Sequence, residues 1–115
     1  MLAGNRSYRI GDQILRETSM ILLKRVRDPR LKGVTLTGVK MTKDLRHAYV
    51  YYSLLGKDEQ KSLAQAGFES AKGFIRKEIG EGLRLKYVPD IEFIYDTSLE
   101  YGQKIEKLLE KIVLR

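Results

Sequence analysis

Apolar side chains recur on one side of a helix in the first part of the chain, from residue 6 to residue 26. The residues of this stripe are Ile10, Ile14, Leu15, Ile21, Leu22 and Val26. Their spacing is typical of an amphipathic helix that packs against a core. Pro29 cannot supply a helical hydrogen bond and disfavours the helical conformation at Asp28, so we predict that the helix ends before this pair.

Two stretches with the alternating pattern of β-strands follow this helix. Residues 34–42 are rich in β-branched side chains, and residues 47–54 contain three tyrosines. Residues 43–46 form a four-residue turn between them, which predicts an antiparallel hairpin. The parity of the apolar positions changes after Gly38, which predicts a β-bulge at this glycine.

A second helical pattern begins near residue 58 and has a glycine in its interior. Its apolar or small side chains share one face and are Ala64, Phe68, Ala71, Ile75, Ile79 and Leu83. Lys72 and Arg76, four residues apart, share the other face. Gly73 destabilises a helix interior by ~1 kcal/mol relative to alanine, so we predict a kink there or a break into two helices. A bend with cations on its outside is a candidate docking site for phosphate.

The pattern after Pro89 predicts one more strand and one more helix. Residues 91–95 are a short strand, and the apolar residues that follow residue 98 lie on a single helical stripe up to residue 113. The predicted order is helix, strand, strand, helix, bend, helix, strand, helix. We expect an α+β fold, with helices packed on a small sheet, as one domain over residues 1–115.

The charge of the chain favours an anionic partner. Its 22 lysines and arginines exceed its 15 aspartates and glutamates, which gives a formal net charge of +7 and a pI of about 9.7. Most of the excess lies in the first 32 residues, and a second group of cations lies around the interior glycine and after it. The candidate phosphate contacts are Lys24, Arg25, Arg27, Arg30, Lys72, Arg76, Lys77 and Lys86. The sequence leaves open whether these form one surface or two separate solvated faces.

The three tyrosines of the second strand have two interpretations. Alternation places Tyr49 and Tyr51 on one face of the strand and Tyr52 on the other. Aromatic rings on an open sheet face stack on RNA bases in some single-strand binders. Aromatic residues are also ordinary strand residues that pack in a core, and the residues favour this second interpretation.

Several kinds of chemistry are excluded or unsupported. The chain has no cysteine and only one histidine, His47, so thiolate zinc sites, cysteine nucleophiles and histidine triads have no basis. Neither a GxxxxGK[ST] phosphate loop nor a GxGxxG fingerprint is present. Signal-peptide and membrane-spanning patterns are also absent. We expect a cytoplasmic protein that is not an enzyme and has no cofactor or metal.

Four stretches of the sequence, in a fixed order, form a recognisable pattern. The first is Arg27-Asp28-Pro29-Arg30-Leu31 after the first helix, and the second is Asp44-Leu45-Arg46-His47-Ala48-Tyr49-Val50-Tyr51 across the hairpin. The third is Ala71-Lys72-Gly73 inside the second helical pattern. The fourth is Asp96-Thr97-Ser98-Leu99-Glu100-Tyr101-Gly102. In this order they resemble the ribosome-binding factor A family of bacterial small-subunit assembly factors, and the resemblance covers nearly the whole chain.

This resemblance implies a K-homology-like domain of type II topology. Ordinary K-homology domains grip a nucleic-acid backbone with a GXXG loop, which this sequence lacks. The resemblance implies instead an interhelical kink at Ala71 and Gly73.

The resemblance also implies a function. It implies a monomer that binds the immature small (30S) ribosomal subunit and its rRNA, with other assembly factors as further partners. The family promotes late maturation and processing of 16S rRNA without catalysis, and it is important in the cold. The alternative function is a protein-interaction module that uses the tyrosine-rich sheet or the C-terminal helix.

Overall fold

The computed structural model describes residues 5–98, 106 and 108–110. Its helices are α1, Asn5–Lys24, and α2, Asp58–Gly82, and a 3-10 turn covers Pro29–Leu31. Its strands are β1, Val34–Met41, β2, His47–Leu54, and β3, Asp90–Tyr95. The predicted final helix lies outside the described residues for most of its length. The described part confirms an α+β fold with helices on a small sheet.

The three strands form one sheet in the order β1-β2-β3. β1 and β2 are the predicted antiparallel hairpin, and β3 lies parallel to β2. The register shifts between Leu36, which pairs with Tyr52, and Gly38, which pairs with Tyr51. Thr37 is therefore the extra residue of a β-bulge, as the parity change predicted.

The core lies between one face of this sheet and the two helices. Ile14 and Ile21 of α1 are buried there, together with Val50 and Tyr52 of β2. The aromatic centre of the core is the stack of Phe68 on Phe93, with ring centroids 4.2 Å apart, beside the Tyr52 ring. Full burial of an aromatic side chain of this size stabilises the fold by roughly 1.5–3 kcal/mol.

The Tyr52 hydroxyl is satisfied inside this core. It donates a hydrogen bond to Gln65 Oε1 at 2.5 Å, and Gln65 Nε2 donates to the Phe93 carbonyl oxygen at 3.0 Å. Burial raises the pKa of the Tyr52 phenol. Packing is therefore the role of Tyr52, the tyrosine that alternation placed apart from the other two.

α2 runs through Gly73 without interruption. The prediction of a break into two helices is wrong. Phe68 and Ile75, on either side of this glycine, are buried in the same core, and a continuous packed face outweighs the ~1 kcal/mol penalty of one glycine. A bend of the helix axis at Ala71 and Gly73, without a break, stays a prediction.

Another glycine of α2, Gly67, lies where the helix approaches the 3-10 turn. A β-carbon at Gly67 would lie 3.1 Å from Leu31 Cδ2 and 3.3 Å from Arg30 Cβ. Carbon atoms have their optimal separation at about 3.5–4.0 Å, so alanine here would require Leu31 and Arg30 to shift by a few tenths of an ångström. No atom lies within 4 Å of the corresponding position at Gly73.

Two aspartates accept hydrogen bonds that organise the turns before β1 and between β1 and β2. Asp28 Oδ1 accepts a hydrogen bond from the Arg30 backbone N–H at 2.9 Å, which starts the 3-10 turn. Asp44 Oδ1 accepts from the Thr42 hydroxyl at 2.6 Å and from the Arg46 backbone N–H at 3.0 Å. These are ordinary Asx-turn contacts, and they give both carboxylates a structural role.

Candidate nucleic-acid interface

The cations at the end of α1 divide into two kinds with different surroundings. Arg25 Nη1 contacts Glu78 Oε2 at 2.7 Å and so connects α1 to α2. Lys24 and Arg27 are exposed and form no ion pair with another described residue. These two side chains therefore have their full charge available to a partner.

Arg30 is engaged locally. Its Nη2 contacts Asp28 Oδ2 at 2.7 Å, its Nε contacts Asp28 Oδ1 at 3.0 Å, and Nη2 also lies 3.4 Å from the Ser70 hydroxyl. The Arg30 side chain lowers the pKa of the Asp28 carboxyl, and the same hydrogen bonds raise the pKa of Arg30. Arg30 therefore connects the 3-10 turn to α2, and less of its donor capacity remains for phosphate.

Lys72, Gly73 and Arg76 line a groove of about 430 Å³ between α2 and the start of β2 and β3. We call it the Lys72 groove. Arg76 donates from Nε to the Pro89 carbonyl and from Nη2 to the Val88 carbonyl, both at 3.1 Å, and Nη2 lies 3.4 Å from Asp90 Oδ1. Arg76 therefore fixes the segment that leads into β3.

The electrostatics of the Lys72 groove are mixed. Three carboxylates line it, those of Glu69, Asp90 and Glu92. Lys72 Nζ lies 3.9 Å from Glu69 Oε2 in an exposed pair that contributes little stability. Lys72 therefore stays available to a partner, in surroundings that are less cationic than the sequence suggested.

The two predicted cationic groups lie on opposite flanks of α2. Gly67 and Glu78 face the 3-10 turn and α1, whereas Lys72 and Arg76 face β3. The exposed side of the helix, which carries Lys77, separates these flanks. Direct contacts therefore do not join the groups into one surface, and Lys77 is the cation that lies between them.

Lys86 lies in a third place. It lines a groove of about 810 Å³ with Arg6 and Arg46, and its Nζ lies 5.7 Å from the centroid of the exposed Tyr87 ring. Arg6 and Lys24 are near opposite ends of α1, about 27 Å apart at 1.5 Å per residue. Lys86 is therefore remote from the cations that follow α1.

Tyr49 and Tyr51 lie on the face of the sheet opposite to α1 and α2, and both are partly exposed. They line a groove of about 790 Å³ with Tyr8, Lys40 and Lys43. Tyr49 also lines the Lys72 groove. The sequence therefore paired the tyrosines correctly, and the structure adds the lysines beside them.

Sequence reasoning did not select Lys40, Lys43, Arg6 or Arg46 as site residues. Lys40 lies opposite Tyr49 in the β1-β2 ladder, and this pairing depends on the bulge at Thr37. The signal that could have found Lys40 is the hairpin register, counted back from the turn through the parity change at Gly38. Arg6 and Arg46 are brought together by tertiary packing and have no local signal.

Other kinds of site find no support in the residues described. No three His, Asp or Glu side chains in this part of the chain are grouped so that they could hold a metal ion. None of the described helices is long and apolar enough to cross a membrane. The fold and these grooves define a small basic α+β protein with exposed cations and aromatic rings suited to an anionic macromolecule.

Comparisons with known proteins identify the family. The family model for ribosome-binding factor A matches residues 6–109. The ribosome-binding factor A of Citrifermentans bemidjiense is 52% identical over 107 residues, which cover 93% of this chain and 90% of the relative. The chain belongs to the ribosome-binding factor A family.

Solved structures share the fold. The solution NMR structure of a Thermotoga maritima protein assigned to ribosome binding factor A is 37% identical, with a TM-score of 0.72, and the match covers 85% of this chain and 93% of that one. A Thermus thermophilus ribosome binding factor A, fitted as a homology model into a cryo-EM map of a 30S complex, is 21% identical. Its TM-score is 0.67, and the match covers 79% of this chain and 96% of that one. At this identity, the second comparison bears on the fold alone.

Proposed function

We propose that this protein binds the immature 30S ribosomal subunit through its rRNA and promotes late maturation and processing of 16S rRNA without catalysis. The observation that carries this proposal is the family match over residues 6–109. Membership of the ribosome-binding factor A family, one member of which has been fitted into a 30S complex, supports the choice of partner. The net charge of +7 supports rRNA as the component that is bound.

The physical means is differential affinity. A protein that binds one arrangement of the rRNA more tightly than the others shifts the population toward that arrangement, and no bond needs to be made or broken. Misfolded RNA helices dissociate more slowly as the temperature falls, so such a protein is most important in the cold. The cytoplasm, where bacterial ribosomes assemble, is the compartment that this function implies.

The eight candidate cations have different roles in this proposal. Lys24, Arg27, Lys77 and Lys86 are exposed and contact phosphates directly, and Lys72 does so from its groove. Arg25, Arg30 and Arg76 hold α1, the 3-10 turn and the start of β3 against α2, and so position the others. This division rests on their partners among the described side chains.

The fold belongs in the same proposal as a K-homology-like domain of type II topology. The order helix, strand, strand, helix, strand and the parallel pairing of β2 with β3 support it. In this arrangement Ala71 and Gly73 take the place of a GXXG loop. The backbone at Gly73 is exposed to the Lys72 groove without a β-carbon in the way.

Sedimentation with ribosomal particles tests the proposed function. We expect the tagged protein to migrate with immature 30S particles at low salt and to be released at high salt. Each phosphate contact contributes about −0.7 to −0.9 to the slope of log affinity against log salt concentration. Association that does not depend on salt, or a protein that stays at the top of the gradient, would contradict the proposal.

A pair of charge-reversal variants sharpens this test. Lys24→Glu with Lys77→Glu should weaken particle binding strongly while the thermal unfolding temperature changes little, because both side chains are exposed. Arg9→Glu with Arg16→Glu changes the net charge equally on exposed positions of α1 and is the matched control. Equal losses in the two double variants would mean that net charge, rather than a defined surface, determines binding.

A further inference from the structure

The outer face of the sheet combines aromatic rings with lysines that form no ion pair among the described residues. Among the described elements, α1 and α2 both pack on the inner face, where Val50 and Tyr52 are buried. Tyr49 and Tyr51 alternate with these residues and lie on the outer face, partly exposed. Together with Tyr8, Lys40 and Lys43 they line the groove of about 790 Å³, and we call these five residues the tyrosine face.

The charge of the tyrosine face selects for an anion. Lys40 lies directly opposite Tyr49 in the ladder, and Lys43 follows the end of β1. Neither lysine forms an ion pair with a described residue, and no carboxylate is among the residues that line this groove. Glu92 of β3 pairs with Tyr49, so this acidic residue lies beside the Tyr49 ring on the outer face, and it also lines the Lys72 groove.

The rings have room for a planar partner. Gly38 pairs with Tyr51, and no atom lies within 4 Å of the place where a β-carbon of Gly38 would be. The surface beside the Tyr51 ring is therefore open on the β1 side. Tyr8, 77% exposed on α1, stands at this edge of the sheet.

The tyrosine face is continuous with the Lys72 groove. Tyr49 lines both grooves, so a chain that leaves Lys72 on the helix side passes the start of β2 and β3 and reaches Tyr49 and then Tyr51 on the outer face. Neighbouring strands lie about 4.8 Å apart and alternate residues along a strand about 6.6 Å apart, distances that successive unstacked nucleotides can span. Phosphates then pass Lys40 and Lys43 while bases lie on the rings.

We propose that the tyrosine face binds a single-stranded segment of RNA, with bases stacked on Tyr49 and Tyr51 and phosphates at Lys40 and Lys43. The proposal rests on the proposed function, because rRNA of the 30S subunit supplies the strand. Stacking on aromatic rings tolerates any base, so the face holds an unpaired region by its shape and charge rather than by its sequence. Paired RNA is excluded because its bases already stack on each other.

Direct binding to a short fluorescein-labelled oligouridine, measured by anisotropy, tests this inference. We expect saturable binding that unlabelled single strands compete away and a short RNA duplex does not. Tyr49→Leu and Tyr51→Leu keep an apolar side chain in the strand but remove the ring, and each should weaken binding by about 5- to 150-fold. Tyr49→Phe and Tyr51→Phe keep the ring and should retain wild-type affinity.

Two controls distinguish stacking from loss of structure or charge. Phe74→Leu removes a ring that is 44% exposed on α2 and lines neither this groove nor the Lys72 groove, and it should leave affinity unchanged. Lys40→Gln with Lys43→Gln should make the salt slope shallower by up to about 0.7 for each phosphate that the variant no longer binds. Thermal unfolding identifies any variant whose fold is damaged, and the phenylalanine variants then carry the comparison with wild type.

Each outcome supports or overturns the inference. Leucine variants that bind oligouridine as tightly as wild type would overturn it, even if 30S binding persists and the proposed function stands. Leucine variants that lose 30S binding, with oligouridine binding unchanged or never detected, would mean that the face holds a protein, and this too overturns it. Parallel loss of oligouridine and of 30S affinity, restored by phenylalanine, supports it.

Discussion

Two glycines six residues apart in α2 have opposite surroundings. Gly67 is buried, and a β-carbon there would lie 3.1 Å from Leu31 Cδ2. Gly73 is exposed, and a β-carbon there would meet no atom within 4 Å. The first glycine is needed because the 3-10 turn approaches the helix. The second has no neighbour in the free protein that requires it.

This contrast separates a packing role from a binding role. At Gly67 the close neighbour belongs to the same chain, so the absence of a side chain contributes to stability. At Gly73 the open space faces the Lys72 groove, so the absence of a side chain lowers helix stability and leaves room for a partner. A glycine that lowers helix stability and lines a groove permits a ligand backbone to approach the helix closely at that position.

Substitution of each glycine by valine should give the largest difference in the free energy of unfolding. Gly67→Val forces extra carbon atoms against Leu31 and Arg30, and we expect the free energy of unfolding to fall by about 2–3 kcal/mol. Gly73→Val is the matched control and should remain within about 0.5 kcal/mol of wild type, because its side chain extends into open space. Urea unfolding measures both. Similar losses at the two positions would show that the contact with the 3-10 turn does not distinguish them.

The next largest difference in unfolding free energy is expected between substitutions of the two cations near Gly73, Arg76 and Lys72. Arg76→Leu removes the hydrogen bonds to the Val88 and Pro89 carbonyls, and we expect a loss of about 1–2 kcal/mol in unfolding free energy. Lys72→Leu removes only a 3.9 Å exposed pair with Glu69 and should change stability by less than about 0.5 kcal/mol. An Arg76 variant as stable as wild type would instead favour a direct role in phosphate binding.

Gly73→Ala should have a smaller effect of opposite sign. Alanine is about 1 kcal/mol more favourable than glycine inside a helix, and the space beside this position is open. We therefore expect thermal unfolding at a higher temperature. If α2 instead bent at Gly73 through backbone angles that only glycine favours, alanine would destabilise the protein. A lower unfolding temperature for Gly73→Ala would therefore support a bend at Gly73, which the uninterrupted α2 does not require.

Particle binding by the same variant adds a separate readout. If the RNA backbone approaches Gly73 closely, the alanine variant is more stable yet binds 30S particles less tightly. Unchanged binding would leave Gly73 without a contact role. Gly67→Ala cannot serve as a control here, because its β-carbon disturbs Leu31 and Arg30.

Local patterns predicted much of the fold. The first helix, the hairpin and the bulge near Gly38 were predicted because each depends on residues close in sequence. The two glycines of α2 look alike in sequence, and only the approach of Leu31, 36 residues before Gly67, distinguishes them. Patterns of neighbouring residues could not predict that contact, because it joins distant parts of the chain.

The candidate site was predicted less well for the same reason. Charge and spacing selected the cations but could not reveal their partners. Arg25 pairs with Glu78, 53 residues away, and Arg76 binds carbonyls 12 and 13 residues away. Lys40 lies beside Tyr49 because of the hairpin register, which depends on the bulge at Thr37. Composition therefore predicted an anionic partner, while tertiary contacts decide which cations are available to bind one.

Acidification should produce the smallest of these effects, and at α2 it should act on the Gly67 side. Hydrogen bonds from the Arg30 side chain lower the pKa of Asp28 below its usual 3.8, so the folded state favours the charged carboxylate. Its contribution to stability is therefore present above pH 4 and is lost as the pH falls through the lowered pKa. Asp44 and Asp96 also have lowered pKa values and contribute in the same window.

Asp28→Asn separates this carboxylate from the other two. The variant should have a shallower loss of unfolding free energy below pH 4 than wild type. Protection of the amides around Leu31, measured relative to the intrinsic exchange rate at each pH, should then become insensitive to acid, because Asp28 holds the 3-10 turn through Arg30. Exchange near Gly73 should respond to pH alike in the variant and in wild type. If Asp28→Asn changed the pH response of exchange equally around Leu31 and near Gly73, the two sides of α2 would unfold as one cooperative unit. Gly67 and Gly73 would then differ in their neighbouring atoms but not in local stability.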